Sequence, residues 1–119
     1  MYQSAYAEVL DERPQTMRDS EREAFDRSIA LLEAAERAGP GTREAAESLH
    51  FLIRLWSILL DDLASPGNSL APDLRAGLIS IGIWIVKEAD RIRLEEADSF
   101  VPLIEISRTI RDGLKGQNS

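Results

Sequence analysis

Apolar residues recur along most of this chain at alternating steps of three and four, the spacing of a buried stripe on an α-helix. The pattern is densest from Ser48 to Leu63. Leu49, Leu52, Trp56, Leu59 and Leu63 form one stripe there. Phe51, Leu55 and Ile58 form a second on a different side, and Ile53 and Leu60 fill part of the gap. His50, Arg54, Ser57, Asp61 and Asp62 are left as the wet side. A helix this apolar around its girth needs several neighbours, so the spacing predicts the central helix of a bundle. A stripe in excess of the core's needs would suit an amphipathic helix from a partner protein.

The same periodicity places the other elements. Tyr2, Tyr6 and Val9, widened by Leu10, predict a short N-terminal helix that Pro14 ends. This arm, residues 1–13, either packs back on the bundle or serves as a detachable docking segment. Thr16 with Asp19, or Ser20 with Glu23, then caps a helix that runs to Ala38 on the stripe Phe25, Ile29, Leu32 and Ala35. Gly39-Pro40-Gly41 stops it, and Thr42 opens the central helix, which reaches Ala64. After the turn cluster Ser65-Pro66-Gly67-Asn68-Ser69, Pro72 starts a third helix that extends to about Glu95. Leu74, Leu78, Ile81, Ile85, Ala89 and Ile92 make its stripe, and Ile79, Ile83, Trp84 and Val86 a second apolar side. The run from Leu78 to Val86 is rich in β-branched residues and also reads as a strand. Its length and the helical pattern on both sides favour helix. Gly77 and Gly82 weaken that helix by about 1 kcal/mol each, which suggests close approach of a neighbouring backbone.

From Lys87 the chain turns highly charged, as a solvated helix end does, and Arg91 can pair with Glu95 four residues on. Asp98 or Ser99 can cap a last helix over 100–115 with Pro102 in its first turn, and residues 116–119 form a frayed tail. The expected fold is therefore all-α: one domain over 1–119, a bundle of about four main helices plus the short N-terminal one. Trp56 and Trp84 are both expected in its core.

Charge narrows the partners. Fourteen Lys and Arg stand against 21 Asp and Glu, for a net charge of −7. The basic residues are scattered singly among acids. Phosphate backbones and anionic membrane surfaces are disfavoured, so no direct nucleic-acid binding is expected. The longest stretch without a charge, Ala76 to Val86, is well short of the roughly 18 apolar residues that span a bilayer, so no membrane insertion is expected. The N-terminus lacks the pattern of a secretory signal, and there is no cysteine, so the expected location is the cytoplasm.

Catalytic chemistry has little to stand on. His50 is the only histidine, and nothing pairs it with a nucleophile and an orienter. Glu47 and His50 have the Glu-x-x-His spacing of a di-metal bundle once, where two are needed. Asp61-Asp62 and Glu95-Glu96 lack a calcium-loop pattern, and the glycine turns are not phosphate loops. The reading is a non-enzyme with no cofactor and no metal, in the class of adaptors, chaperones and regulators.

Four segments, in order and across most of the chain, resemble the FlaF family of alphaproteobacterial flagellar biosynthesis regulators. They are the opening MYQSAYAEV, the central RLWSILLDDL, NSLAPDLRAGLISIGIWIV, and the closing VPLIEISRTIRDGL. Pro72 falls one position later than the family's Leu-Pro turn, and Ser107 stands where an Asn is expected. The resemblance implies a non-enzymatic protein that acts with FlbT in controlling flagellin production. Direct binding of flagellin subunits, as a chaperone or adaptor coupling synthesis to secretion and filament assembly, is the mechanism it suggests. The alternative is post-transcriptional control of flagellin translation, acting with FlbT on the flagellin mRNA. For partner contact the first candidates are Phe51, Leu55 and Ile58, and the second are Tyr2, Tyr6 and Val9.

Overall fold

The computed structural model describes residues 14–116. It consists of four α-helices: α1 (Pro14–Ala38), α2 (Arg43–Ala64), α3 (Pro72–Arg93) and α4 (Val101–Gly116). No strand occurs among the described residues, so the β-branched run from Leu78 to Val86 is helical throughout. Tyr2, Tyr6 and Val9, and the tail after Gly116, lie outside the described residues.

Helix α1 starts at Pro14 itself, so Thr16 and Ser20 lie within the helix and neither is its cap. Proline suits a first turn because its missing N–H has no partner to lose there. At the next helix the expected cap is present. The Thr42 hydroxyl accepts from the Ala45 backbone N–H at 3.2 Å and donates to the Gly39 carbonyl at 2.7 Å. Gly39 and Gly41 carry φ of 98° and 80°, a region open to glycine at little cost, which lets a short turn reverse the chain.

Helix α3 ends at Arg93, two residues before Glu95. Its terminus is a Schellman turn: the Glu95 N–H donates to the Ile92 carbonyl and the Glu96 N–H to the Arg91 carbonyl. The left-handed position of that turn, φ 62°, is held by Glu95 where glycine is the usual occupant. Arg91 pairs with Glu88 at 2.8 Å rather than with Glu95. Glu88 is itself buried, so this end of α3 is less solvated than its charge suggests.

The core is one contiguous cluster that draws on all four helices. Phe25, Ile29, Leu32 and Ala35 come from α1; Ala45, Leu49, Leu52 and Trp56 from α2; Ile85, Ala89 and Ile92 from α3; Leu103 and Ile104 from α4, with Phe100 just before it. Phe25 meets Trp56 edge to face, ring centroids 6.1 Å apart. Helix α1 packs on both α2 and α4, and α2 packs on both α1 and α3. The centre is thus shared by α1 and α2. Among the described residues, helices α3 and α4 touch little.

Two expectations about α3 change. Gly82 does lie in a tight contact, but against side chains: a Cβ there would sit 2.7 Å from Trp56 Cε3 and 2.8 Å from Leu60 Cδ2. Gly77 faces open space. Trp84, expected in the core, is 44% exposed. Two residues on from Gly82, it lies across α3 from the Gly82 contact with α2.

Candidate partner-binding faces

The sequence-selected residues of α2 separate once the helices are packed. Ile58 is 63% exposed, the most exposed of the large apolar side chains among the described residues. Leu55, on the same stripe, packs partly against the core cluster. Phe51 is half-buried, and the Arg27 guanidinium of α1 stands 5.6 Å from its ring centroid in a cation–π arrangement. The stripe is therefore graded, with its α1 side covered and its Ile58 edge in water. Around Ile58, Arg54, Ser57, Asp61 and Asp62 are exposed, which frames a small apolar spot with polar groups.

A second set escaped the sequence reading. Leu74, Ile83 and Trp84 on α3 are each close to half exposed, as are Leu94 in the connection after it and Val101 at the start of α4. The β-branched density of α3 was a signal for burial, but periodicity cannot tell which of two apolar sides a neighbour will cover.

The polar groups play structural parts. Glu36, outside the apolar stripe of α1, accepts from the Phe100 backbone N–H at 2.8 Å and so caps the start of α4 from another helix. Ser99 Oγ accepts from the Val101 N–H at 3.2 Å, the local cap expected there. Arg108 bonds Glu33, and Arg111 bonds Asp26 at 3.1 Å, both joining α4 to α1. The Asp26 hydrogen bond raises the Arg111 pKa above its ordinary value, partial burial opposes it, and Asp112 adds to the rise. These pairs are solvent-exposed to a large degree and contribute at most about 1 kcal/mol each.

Chemistry finds no further foothold among the described residues. Glu47 lies 3.9 Å from Arg43, and His50 is exposed. No group of three or more His, Cys, Asp or Glu could hold a metal ion among the described residues. A depression is lined by Thr42, Ala45, Leu49, Ile92 and Glu95, and its one hydroxyl, on Thr42, is bonded to the Gly39 carbonyl and the Ala45 N–H. No helix among the described residues is long and apolar enough to cross a membrane.

Fold and faces together define a small, acidic, all-α bundle that leaves apolar helix surface in water. Residues 2–114 match the family model of the flagellar protein FlaF, and the chain belongs to that family. It is a flagellar protein. No curated protein and no solved structure matches the chain.

Proposed function

We propose that this FlaF-family protein binds flagellin subunits in the cytoplasm and couples their synthesis to secretion and filament assembly, as a chaperone or adaptor rather than an enzyme. Ile58 carries the reading: a large apolar side chain, 63% exposed, beside half-buried Phe51 and Leu55 and framed by exposed Arg54, Ser57, Asp61 and Asp62. Leaving such a group in water forgoes about 1.5–3 kcal/mol of burial, which a partner's helix can recover. Flagellin awaiting export has helical ends that pack only in the filament, so a helix-covering face is a suitable chaperone surface. The net charge of −7 disfavours direct contact with the transcript and points any effect on translation through a protein such as FlbT.

The test is titration of purified flagellin monomer with the wild-type protein and with Ile58→Asp. The variant should bind at least about tenfold more weakly, a loss of roughly 1.4 kcal/mol, because a carboxylate cannot enter an apolar contact. Its thermal unfolding should match wild type, since Ile58 buries little in the bundle. If wild-type protein fails to bind the monomer, and pull-downs recover FlbT without flagellin, the chaperone reading is overturned. Equal binding by wild type and variant would remove the Ile58 face from the proposal.

A further inference from the structure

The outer face of α2 carries a charge pattern that is complementary to itself. Phe51, Arg54, Ile58 and Asp61 follow one another at steps of three, four and three, so they form one seam along the helix. The seam is on the solvent side: Ile58 stands in water, and Arg54 and Asp61 are exposed. Trp56 and Leu60, which meet Gly82 of α3, lie across the helix from it.

Opposite charges are set on either side of Ile58. Arg54 and Asp61 are about two turns apart and so share one flank of the seam. Phe51 and Asp62 are about three turns apart and share the other. The Arg27 guanidinium of α1 stands 5.6 Å from the Phe51 ring centroid, so this second flank also has a cation at its start and a carboxylate at its end. Arg91, Arg93, Arg108 and Arg111 are each matched with an acid within the chain. Among the described residues, Arg27, Arg54 and Asp61 have no such match, and Asp62 holds only the Asn68 amide, at 3.2 Å.

A two-fold axis at right angles to α2 runs a second copy of the helix antiparallel to the first and sets each flank against the same flank of the copy. A residue then faces the one equally far from the axis on the other side. With the axis midway between Arg54 and Asp61, Arg54 meets Asp61 of the second copy, and the reverse. That midpoint falls between Ser57 and Ile58, so Ile58 packs against its own copy. At the same register Asp62 is level with Ile53 of the second copy, close to Phe51 and the Arg27 stacked on it. One placement thus covers Ile58 and gives each of these charges an opposite partner. A parallel pair would set Arg54 against Arg54 and Asp61 against Asp61. An antiparallel pair centred one turn earlier, at Arg54, would oppose the two arginines again.

We infer that this protein associates with a second copy of itself through the outer face of α2, antiparallel, with Ile58 at the two-fold axis and Arg54 and Arg27 paired with Asp61 and Asp62 of the second copy. The contact is one helix face wide, below the ~1,200 Å² at which standard stable interfaces begin, so the dimer is weak and fills only as concentration rises. It uses the face that the proposed function gives to flagellin, so the self-pair and the flagellin complex exclude each other. That exclusion rests on the proposed function; the self-pairing does not.

Charge exchange tests the pairing. Sedimentation equilibrium of the full chain over a concentration series, without flagellin, should show a reversible monomer–dimer equilibrium that added salt weakens. Arg54→Asp and Asp61→Arg each bring like charges together, and each should weaken the dimer at least about tenfold. An equimolar mixture of these two variants should associate again, because each charge then finds its opposite in the other chain. The double variant, Arg54→Asp with Asp61→Arg, should dimerise by itself. All these positions are exposed, so thermal unfolding of each variant should match wild type. A wild-type chain that is monomeric at every concentration, a dimer indifferent to both single reversals, or single variants that fold but fail to associate when mixed would each overturn the inference. A chain that dimerises in this way and never binds flagellin would overturn the proposed function and leave this inference standing.

Discussion

At the residue scale, two side chains carry out jobs that their types do not advertise. Glu95 occupies the left-handed position of the turn that ends α3, with φ 62°. A residue with a Cβ loses roughly 1 kcal/mol or more in that conformation, and glycine does not. Glu95→Gly should therefore raise stability by about 1 kcal/mol, less the entropy glycine adds to the unfolded chain, and urea unfolding would show it as a higher midpoint at unchanged slope. Glu36 is the converse case. Its carboxylate caps α4 across a large gap in sequence. Glu36→Ala should cost about 1 kcal/mol, and Glu36→Gln less, because the amide oxygen can still accept from the Phe100 N–H. The Thr42 cap was readable beforehand because a cap residue and the N–H groups it serves are neighbours in the chain. The Glu36 cap was not, because only folding brings α1 and α4 together.

At the scale of elements, α3 shows how packing overrides local preference. Its β-branched run favours a strand, and two glycines weaken a helix. Yet a helix forms, because its Ile85, Ala89 and Ile92 side fits the core and Gly82 admits the Trp56 ring. A Cβ at Gly82 would lie within 3 Å of that ring, which is itself locked against Phe25. Glycine to alanine in a helix ordinarily stabilises by about 1 kcal/mol. At Gly82 the sign should reverse, to a loss of about 1–3 kcal/mol from overpacking, read by thermal or urea unfolding. A neutral or stabilising Gly82→Ala would mean that Leu60 and Trp56 can yield, and that the α2–α3 contact is looser than the structure shows. Trp84 belongs to the same lesson. Large aromatics usually contribute most when buried, so both tryptophans looked like core. Trp56 is core because Phe25 of α1 and Gly82 of α3 converge on it; Trp84 lies across α3 from that contact and is 44% exposed.

On the scale of the whole molecule, the described helices pack along three edges of the bundle and touch little along the fourth, and a large apolar residue, Ile58, stays in water on the outer face. These two features divide the surplus apolar surface noted in the sequence. The α2 stripe turned out to be partly spent on internal packing, through Leu55 and the Phe51–Arg27 contact, so the binding test belongs at Ile58, where a charge should disturb the partner and not the fold.

What the chain's sequence determined by itself was everything set by local spacing. Four helices, their turns at Gly39–Gly41 and Ser65–Ser69, the Thr42 cap, the main core stripes and the family likeness all rest on residues near one another, where periodicity, capping and turn chemistry act. Only the tertiary structure decided which of two apolar sides each helix would bury, because α2 and α3 carry more apolar surface than their neighbours can cover. It decided the exposure of Ile58 and Trp84, the burial of Glu88 and the reach of Glu36 to α4. Each depends on helix lengths and packing angles taken together, and no single stretch of sequence contains them.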